Sequence, residues 1–285
     1  MEARTVLQRL EKIDDLPTLP TIAMEVNQML NDYDISIHVL SKTIERDQSI
    51  TFKILKLVNS AFFGLPSKVS TISHAVILLG FNSVRNAVVS VSVIDTFSQK
   101  KALRGFDVTD FWSHSVAVAV TSRYLAESSK TSHPDDCFIG GLLHDMGKLI
   151  MAQYFQDLFV KVWNSMQENK ISFFDAEKKE LPINHAQLGS ELARKWNLPQ
   201  GLIDAIRYHH TISENAADLD LLLAVHAADI VVNHWKLHGD KPLGLTSFHP
   251  QARGMMDSLL DSFPEWYPKL NIEIESACKF FIEET

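Results

Sequence analysis

The sequence predicts an all-α fold, and three observations carry that expectation. Apolar residues recur every three to four positions along nearly the whole chain, as they do on the buried face of a helix. Residues that cap helices bound most of these runs, and no stretch shows the strict apolar–polar alternation of a half-buried strand.

In the first half, Pro20 and Thr21 open a run carrying Ile22, Val26, Met29 and Leu30. Ser36 opens a second, with Ile37, Leu40 and Ile44, and Asp47 is placed to cap a third through Ile50, Ile54, Leu57 and Val58. Ser70 or Thr71 caps the fourth, which Gly80 ends, and Asn82 starts a fifth that reaches Ile94. The polar stretch Ser98 to Arg104 follows. A boundary around residues 98–108 there separates an N-terminal helical part, residues 1–100, from a larger helical part, residues 101–285. In the second part, helices are expected from about Thr109 to Ser128, Asp135 to Leu143, Lys148 to Asn169 and Ser172 to Glu180. Four more run from Asn184 to Trp196, Pro199 to His210, Ala217 to His238 and Phe263 to Ile282.

With 285 residues, 46% hydrophobic and 22% charged, the chain has apolar material for one large core or two smaller ones. A formal net charge of -8 gives no general attraction to polyanions, and no local basic patch stands out. Neither nucleic acid nor a membrane is therefore an expected partner. Cys137 and Cys278 lack both the number for a disulfide framework and the paired spacing of a zinc site, and are read as reduced core thiols. The charged start, Met1 to Arg9, has no apolar segment of a secretory signal. Arg85, His226 or Asp229 interrupts the most apolar windows well short of the roughly 18 residues a membrane span needs. A soluble, cytoplasmic protein is expected.

The segment Gly140–Gly141–Leu142–Leu143–His144–Asp145–Met146–Gly147–Lys148 sets an imidazole, a carboxylate and an ammonium at the end of an apolar run. These groups are costly in a hydrocarbon core and suit a divalent metal and phosphate. Neighbouring helix residues point about 100° apart, so His144 and Asp145 can face one site only where the helix ends or bends, and Gly147 favours such a bend. From there Asp145 can bridge two metal ions, and Lys148, one turn beyond His144, can reach a phosphate oxygen.

Other expected helices bring further candidates beside apolar positions: His114, His185, the pair His209–His210, and Asp229. Convergence on one cation would offset the cost of placing them there. His209 and His210 cannot be equally central on a helix, so His209 is the expected ligand and His210 a second ligand or a substrate contact. His226, three residues before Asp229, is read as supporting or structural. His38, His74, His133, His234, His238 and His249 are read as surface or hydrogen-bonded histidines.

The order His114, His144–Asp145, His185, His209–His210, Asp229 resembles the HD superfamily of helical metal-dependent phosphohydrolases. The resemblance implies metal ligation by His114, His144, Asp145, His185, His209 and Asp229, with His210 as an additional candidate and Lys148 near the phosphate. Further pieces are similar to one branch, the HDOD (HD-related output domain) family of bacterial signalling proteins. They are Leu16–Pro17–Thr18–Leu19–Pro20, Glu45–Arg46–Asp47–Gln48, Leu55 to Gly64, Val69 to Gly80, Trp112–Ser113–His114–Ser115, Ala193 to Pro199 and Ile206 to His210. The similarity covers roughly residues 14–213. Within it, Asn59 is either a structural amide bridge or part of a recognition surface, and Phe62 and Phe63 are either core or partner anchors.

Gln48 stands where the family commonly has proline. The segment after His210, Thr211–Ile212–Ser213–Glu214, lacks the Gly-Tyr-Pro of the HD-GYP phosphodiesterases, which argues against cyclic di-GMP as a substrate. HDOD members have commonly lost part of the HD ligand set, whereas this chain keeps it. Two functions fit these features. The favoured one is a signal-transduction output protein with a retained HD-type site for one or two divalent ions of iron, manganese or zinc, which engages a protein partner. The alternative is a metal-dependent phosphohydrolase acting on a phosphorylated small molecule or nucleotide, with Asp145 and Lys148 as its catalytic residues.

Overall fold

Helix follows helix along a computed structural model of the chain, which describes residues 3–13, 16–29, 35–60, 63–98, 106–130 and 133–283. There is no β-strand among the described residues, as the periodicity predicts. The first half holds α1 (Ala3–Glu11), α2 (Thr21–Gln28), α3 (Ile37–Glu45), α4 (Gln48–Val58), α5 (Ile72–Leu79) and α6 (Phe81–Ser98). The expected caps act: Ser36, Asp47 and Thr71 accept from the amides of Val39, Ile50 and His74. Gly80, at φ 84°, ends α5, and α6 starts directly after it rather than at Asn82.

Helix α1 was not expected, because only Val6 and Leu10 of its nine residues are buried and two positions make a weak pattern. It is held against the second half, where Arg9 makes two hydrogen bonds of 3.1 and 3.0 Å to Asp157. Asn59 is the structural bridge of the two readings: its amide donates to the carbonyls of Leu55 and Val69 and accepts from the Val69 N–H. Leu30, Phe62 and residues 99–105 of the expected boundary lie outside the described residues.

The second half continues with α7 (Val108–Ser129), α8 (Pro134–Leu143), α9 (Met146–Tyr154), α10 (Gln156–Asn169), α11 (Phe173–Glu180) and α12 (His185–Lys195). It ends with α13 (Gln200–Tyr208), α14 (Leu219–His238), α15 (Arg253–Leu260) and α16 (Phe263–Cys278), the last running into a π-helical turn over Lys279–Glu283. The one helix expected over Lys148–Asn169 is two. Phe155 leaves helical geometry at φ -127°, ψ 51°, and its buried ring turns into the core beneath the Arg9 guanidinium, 4.9 Å from the ring centre. Met151, Phe155, Leu158, Phe159 and Val162 are all buried, so the helical spacing of apolar residues runs straight through the break and conceals it.

Helix α7 is buried on most of its circumference and packs against α8, α14 and α16, which makes it the axis of the second half. Helix α6 lies against α8: Arg85, 4% exposed, pairs with Asp136 at 2.7 Å, and Asn86 donates to the Asp135 carbonyl. Trp196 donates to the Pro17 carbonyl at 2.9 Å and Asn27 to that of Asn197 at 2.8 Å. No helix among the described residues is long and apolar enough to cross a membrane.

Candidate metal centre

Helix α8 ends at Leu143 and α9 begins at Met146, so His144 and Asp145 occupy the corner between them and face one site. Asp145 makes the corner itself, at φ -99°, ψ 4°. Gly147 contributes something other than the expected bend. It lets α9 press against α12, since a Cβ there would lie 1.8 Å from the His185 carbonyl oxygen. His185 is the first residue of α12, whose start is set by a capping box between Asn184 and Gln187. His114 comes from the middle of α7, His209 and His210 from the end of α13, and Asp229 from α14.

These seven residues form two groups whose ligand atoms lie within 4.8 Å of one another: Asp145, His185, His209 and His210 in one, His114, His144 and Asp229 in the other. Asp145 spans both. Its Oδ1 lies 3.0 Å from His185 Nε2 and 3.8 Å from His209 Nε2, and its Oδ2 lies 3.4 Å from His144 Nε2 and 3.7 Å from His114 Nε2. His114 Nε2 is 3.2 Å from Asp229 Oδ1, which also accepts from Asn233 one turn along α14.

Three histidines are held from behind through Nδ1, by the carbonyls of Gly141 (2.7 Å, His144) and Ile206 (2.8 Å, His209) and by the Glu177 carboxylate (2.6 Å, His185). A donating Nδ1–H leaves Nε2 as a lone pair aimed into the centre. His144 Nε2 and His210 Nε2 are buried with no hydrogen-bond partner, and Asp145 Oδ1 has only the imidazoles facing it, His185 Nε2 at 3.0 Å the nearest. Buried polar atoms are costly without partners, so inward-facing imidazoles without them, set around a carboxylate, fit a divalent cation.

Burial opposes the ionised form of Asp145, but Lys148, His144 and His185 outweigh it and hold the carboxyl well below the usual range; Asp229 is held low against burial by His114 and His144. Burial and the other imidazoles push His209 well below its ordinary value, and burial with the charge of His185 brings His210 to about 3. Lys148 donates to Asp145 Oδ2, and burial is outweighed by Asp145 and Asp229, which raise its pKa.

A cleft of about 660 Å³ opens onto the centre and reaches His114, Asp145, Lys148, His210 and Asp229 between the rings of Phe111, Trp163, Phe173 and Phe174. Every residue singled out as a ligand candidate is brought to one place, and Lys148 lines the cleft beside Asp145. His226 is structural: its Nδ1 donates to the His209 carbonyl at 2.7 Å and its Nε2 accepts from the His249 amide at 3.1 Å. Glu177 was missed. It sits in the charged run Glu177–Lys178–Lys179–Glu180, yet follows Phe173 by one helical turn and so shares its inward face, which is the signal that marks it.

The HDOD domain family model matches residues 16–212. An uncharacterized protein of Treponema pallidum (strain Nichols) is 28% identical over 207 residues, 71% of this chain and 39% of that protein, so the match spans well under half of the relative. The crystal structure of an HDOD domain protein of unknown function from Geobacter sulfurreducens superposes with a TM-score of 0.79 at 26% identity, covering 98% of this chain and 97% of that one. A proposed phosphohydrolase from Shewanella amazonensis SB2B shares the fold, with a TM-score of 0.74 at 22% identity over 96% of this chain and 97% of its own. With an all-helical fold and a family match over more than half its length, the chain belongs to the HDOD domain family.

Proposed function

We propose that this chain is a signal-transduction output protein of the bacterial cytoplasm whose HD-type centre holds one or two divalent ions and thereby organises the helices offered to a protein partner. The observation that carries this reading is the convergence of imidazole and carboxylate atoms from segments far apart in the chain, with His144 Nε2 and His210 Nε2 buried and without a hydrogen-bond partner. A cation among them ties α7, the α8–α9 corner, α12, α13 and α14 together. Iron, manganese and zinc all suit this set of imidazoles and carboxylates. HDOD membership supports the output role. Metal binding to the folded chain alone stabilises it by about 4 kcal/mol at a thousandfold excess over Kd, so restoring metal to a stripped sample should raise Tm by several degrees. An unchanged Tm removes the metal from this role.

The cleft supports a second reading, a phosphohydrolase for a small phosphorylated molecule or nucleotide, because it brings solvent-side access to His114, Asp145, Lys148 and Asp229. A bound divalent ion supplies Lewis acidity and an activated water. Lys148 would place positive charge beside the phosphoryl oxygens, Asp145 would orient the nucleophile, and the surrounding phenyl rings would limit bulk water. Metal-replete protein should then cleave p-nitrophenyl phosphate, bis(p-nitrophenyl) phosphate or nucleotides above an Asp145→Ala control. Equal rates in the two samples exclude this second role.

A further inference from the structure

Glu177 is fully buried, and both of its oxygens are committed to His185: Oε1 accepts the backbone N–H at 2.7 Å and Oε2 faces ring Nδ1 at 2.6 Å. The acceptors behind His144 and His209 are neutral carbonyls. A carboxylate on the far nitrogen fixes the ring and strengthens it as a donor, an effect of about 10- to 100-fold in metal affinity.

The two ligand groups differ in other ways. The group of Asp145, His185, His209 and His210 has four ligands, enough for a closed tetrahedral shell. His185 and His209 are fully buried, and His210, partly exposed, lines the cleft with its ring stacked on Phe174 at 4.2 Å. The group of His114, His144 and Asp229 shares Asp145 through Oδ2, 3.4 Å from His144 Nε2 and 3.7 Å from His114 Nε2, has no carboxylate behind its imidazoles among the described residues, and the side chains of His114 and Asp229 are 16% and 11% exposed.

We propose that the centre is two positions of unequal grip. One, among Asp145, His185, His209 and His210, retains its ion through Glu177, the positioning residue for His185. The other, among His114, His144 and Asp229, exchanges its ion with solution through the cleft, and its occupancy follows the free concentration of divalent cation. The inference rests on the metal centre proposed above.

The test is stepwise removal. The chain is loaded with Mn²⁺, dialysed against rising EDTA, and its ions per chain are counted by inductively coupled plasma mass spectrometry. The wild type should lose metal in two steps with a plateau at one ion. His114→Ala should lack the weakly held ion and keep the plateau. Glu177→Gln preserves size and removes the charge, and should weaken the retained ion about tenfold or more while leaving the other within about twofold. A general loosening of the fold would weaken both. Glu177→Asp, which restores charge at shorter reach, should recover part of the plateau. Loss in a single step, or a Glu177→Gln plateau as firm as that of wild type, overturns the proposal and leaves the metal centre standing. A wild-type chain that binds no ion at all overturns both.

Discussion

The Nε2 atoms of His185 and His209 face each other 3.4 Å apart at the bottom of the candidate centre. Each ring turns its Nδ1 to an acceptor, Glu177 for one and Ile206 for the other, so the facing nitrogens are two lone pairs unless a cation lies between them. Without metal, that cation is a proton on His185. Burial opposes it, but the charges of Glu177 and Asp145 prevail and push the pKa up to about 9.

Metal uptake should therefore expel this proton. At pH 7.5, filling the buried position should release about one proton per chain, and the apparent affinity should rise about tenfold per pH unit until roughly pH 9, where half of His185 is neutral and the dependence levels off. Calorimetric titrations in two buffers of different ionisation enthalpy measure the released proton directly. Uptake with no proton release contradicts the facing-imidazole geometry.

The stripped chain should have a stability optimum near pH 6.5. The raised pKa of His185 contributes stability that is fully present below about 6.5 and is lost as pH rises toward about 9. His210, depressed to about 3 by burial and the charge of His185, acts in the opposite sense: below about 6.5 the unfolded chain takes up a proton that the folded chain refuses, and stability falls with pH. Thermal melts of metal-free protein across pH 4 to 9 should show both declines, and the metal-loaded protein should lose the alkaline one. A Tm that climbs steadily from pH 6.5 to 9 in the stripped chain is the opposite result.

Gly147→Ala should disrupt the centre without replacing any candidate ligand. The added Cβ would meet the backbone carbonyl oxygen of His185 at 1.8 Å, and because neither atom can rotate away α9 and α12 must separate. Overpacking of this kind costs about 3 kcal/mol, and the separation moves His185 away from Asp145. Urea unfolding at fixed pH reads the first effect and metal content the second. A variant with wild-type stability and wild-type metal content would show that the contact is not needed.

Most of the candidate centre was legible in the sequence because its candidate ligands are polar residues on otherwise apolar helix faces. Asp229 lies between Ala228 and Val231, and His114 precedes Ser115, Val116 and Val118, all buried. The polar capping residues Ser36, Asp47 and Asn184 likewise marked helix starts that the fold uses. Glu177 was concealed by its neighbours: Lys178 and Lys179 are exposed, and a four-residue charged run reads as a solvated surface although one of its members points inward. The break at Phe155 was concealed for the converse reason, since buried residues on both sides keep helical spacing across it. The role of Gly147 depends on α12, some 40 positions further along the chain, and no local pattern records that contact.

The central claim is that these convergent side chains hold a divalent cation. The most direct measurement is the metal content of untagged protein, equilibrated in turn with manganese, iron and zinc, desalted, and compared with Asp145→Ala of equal helical content by circular dichroism. At least one ion should remain per wild-type chain, and the variant should retain none above background. A wild type without metal, or an Asp145→Ala variant with undiminished metal, contradicts the claim.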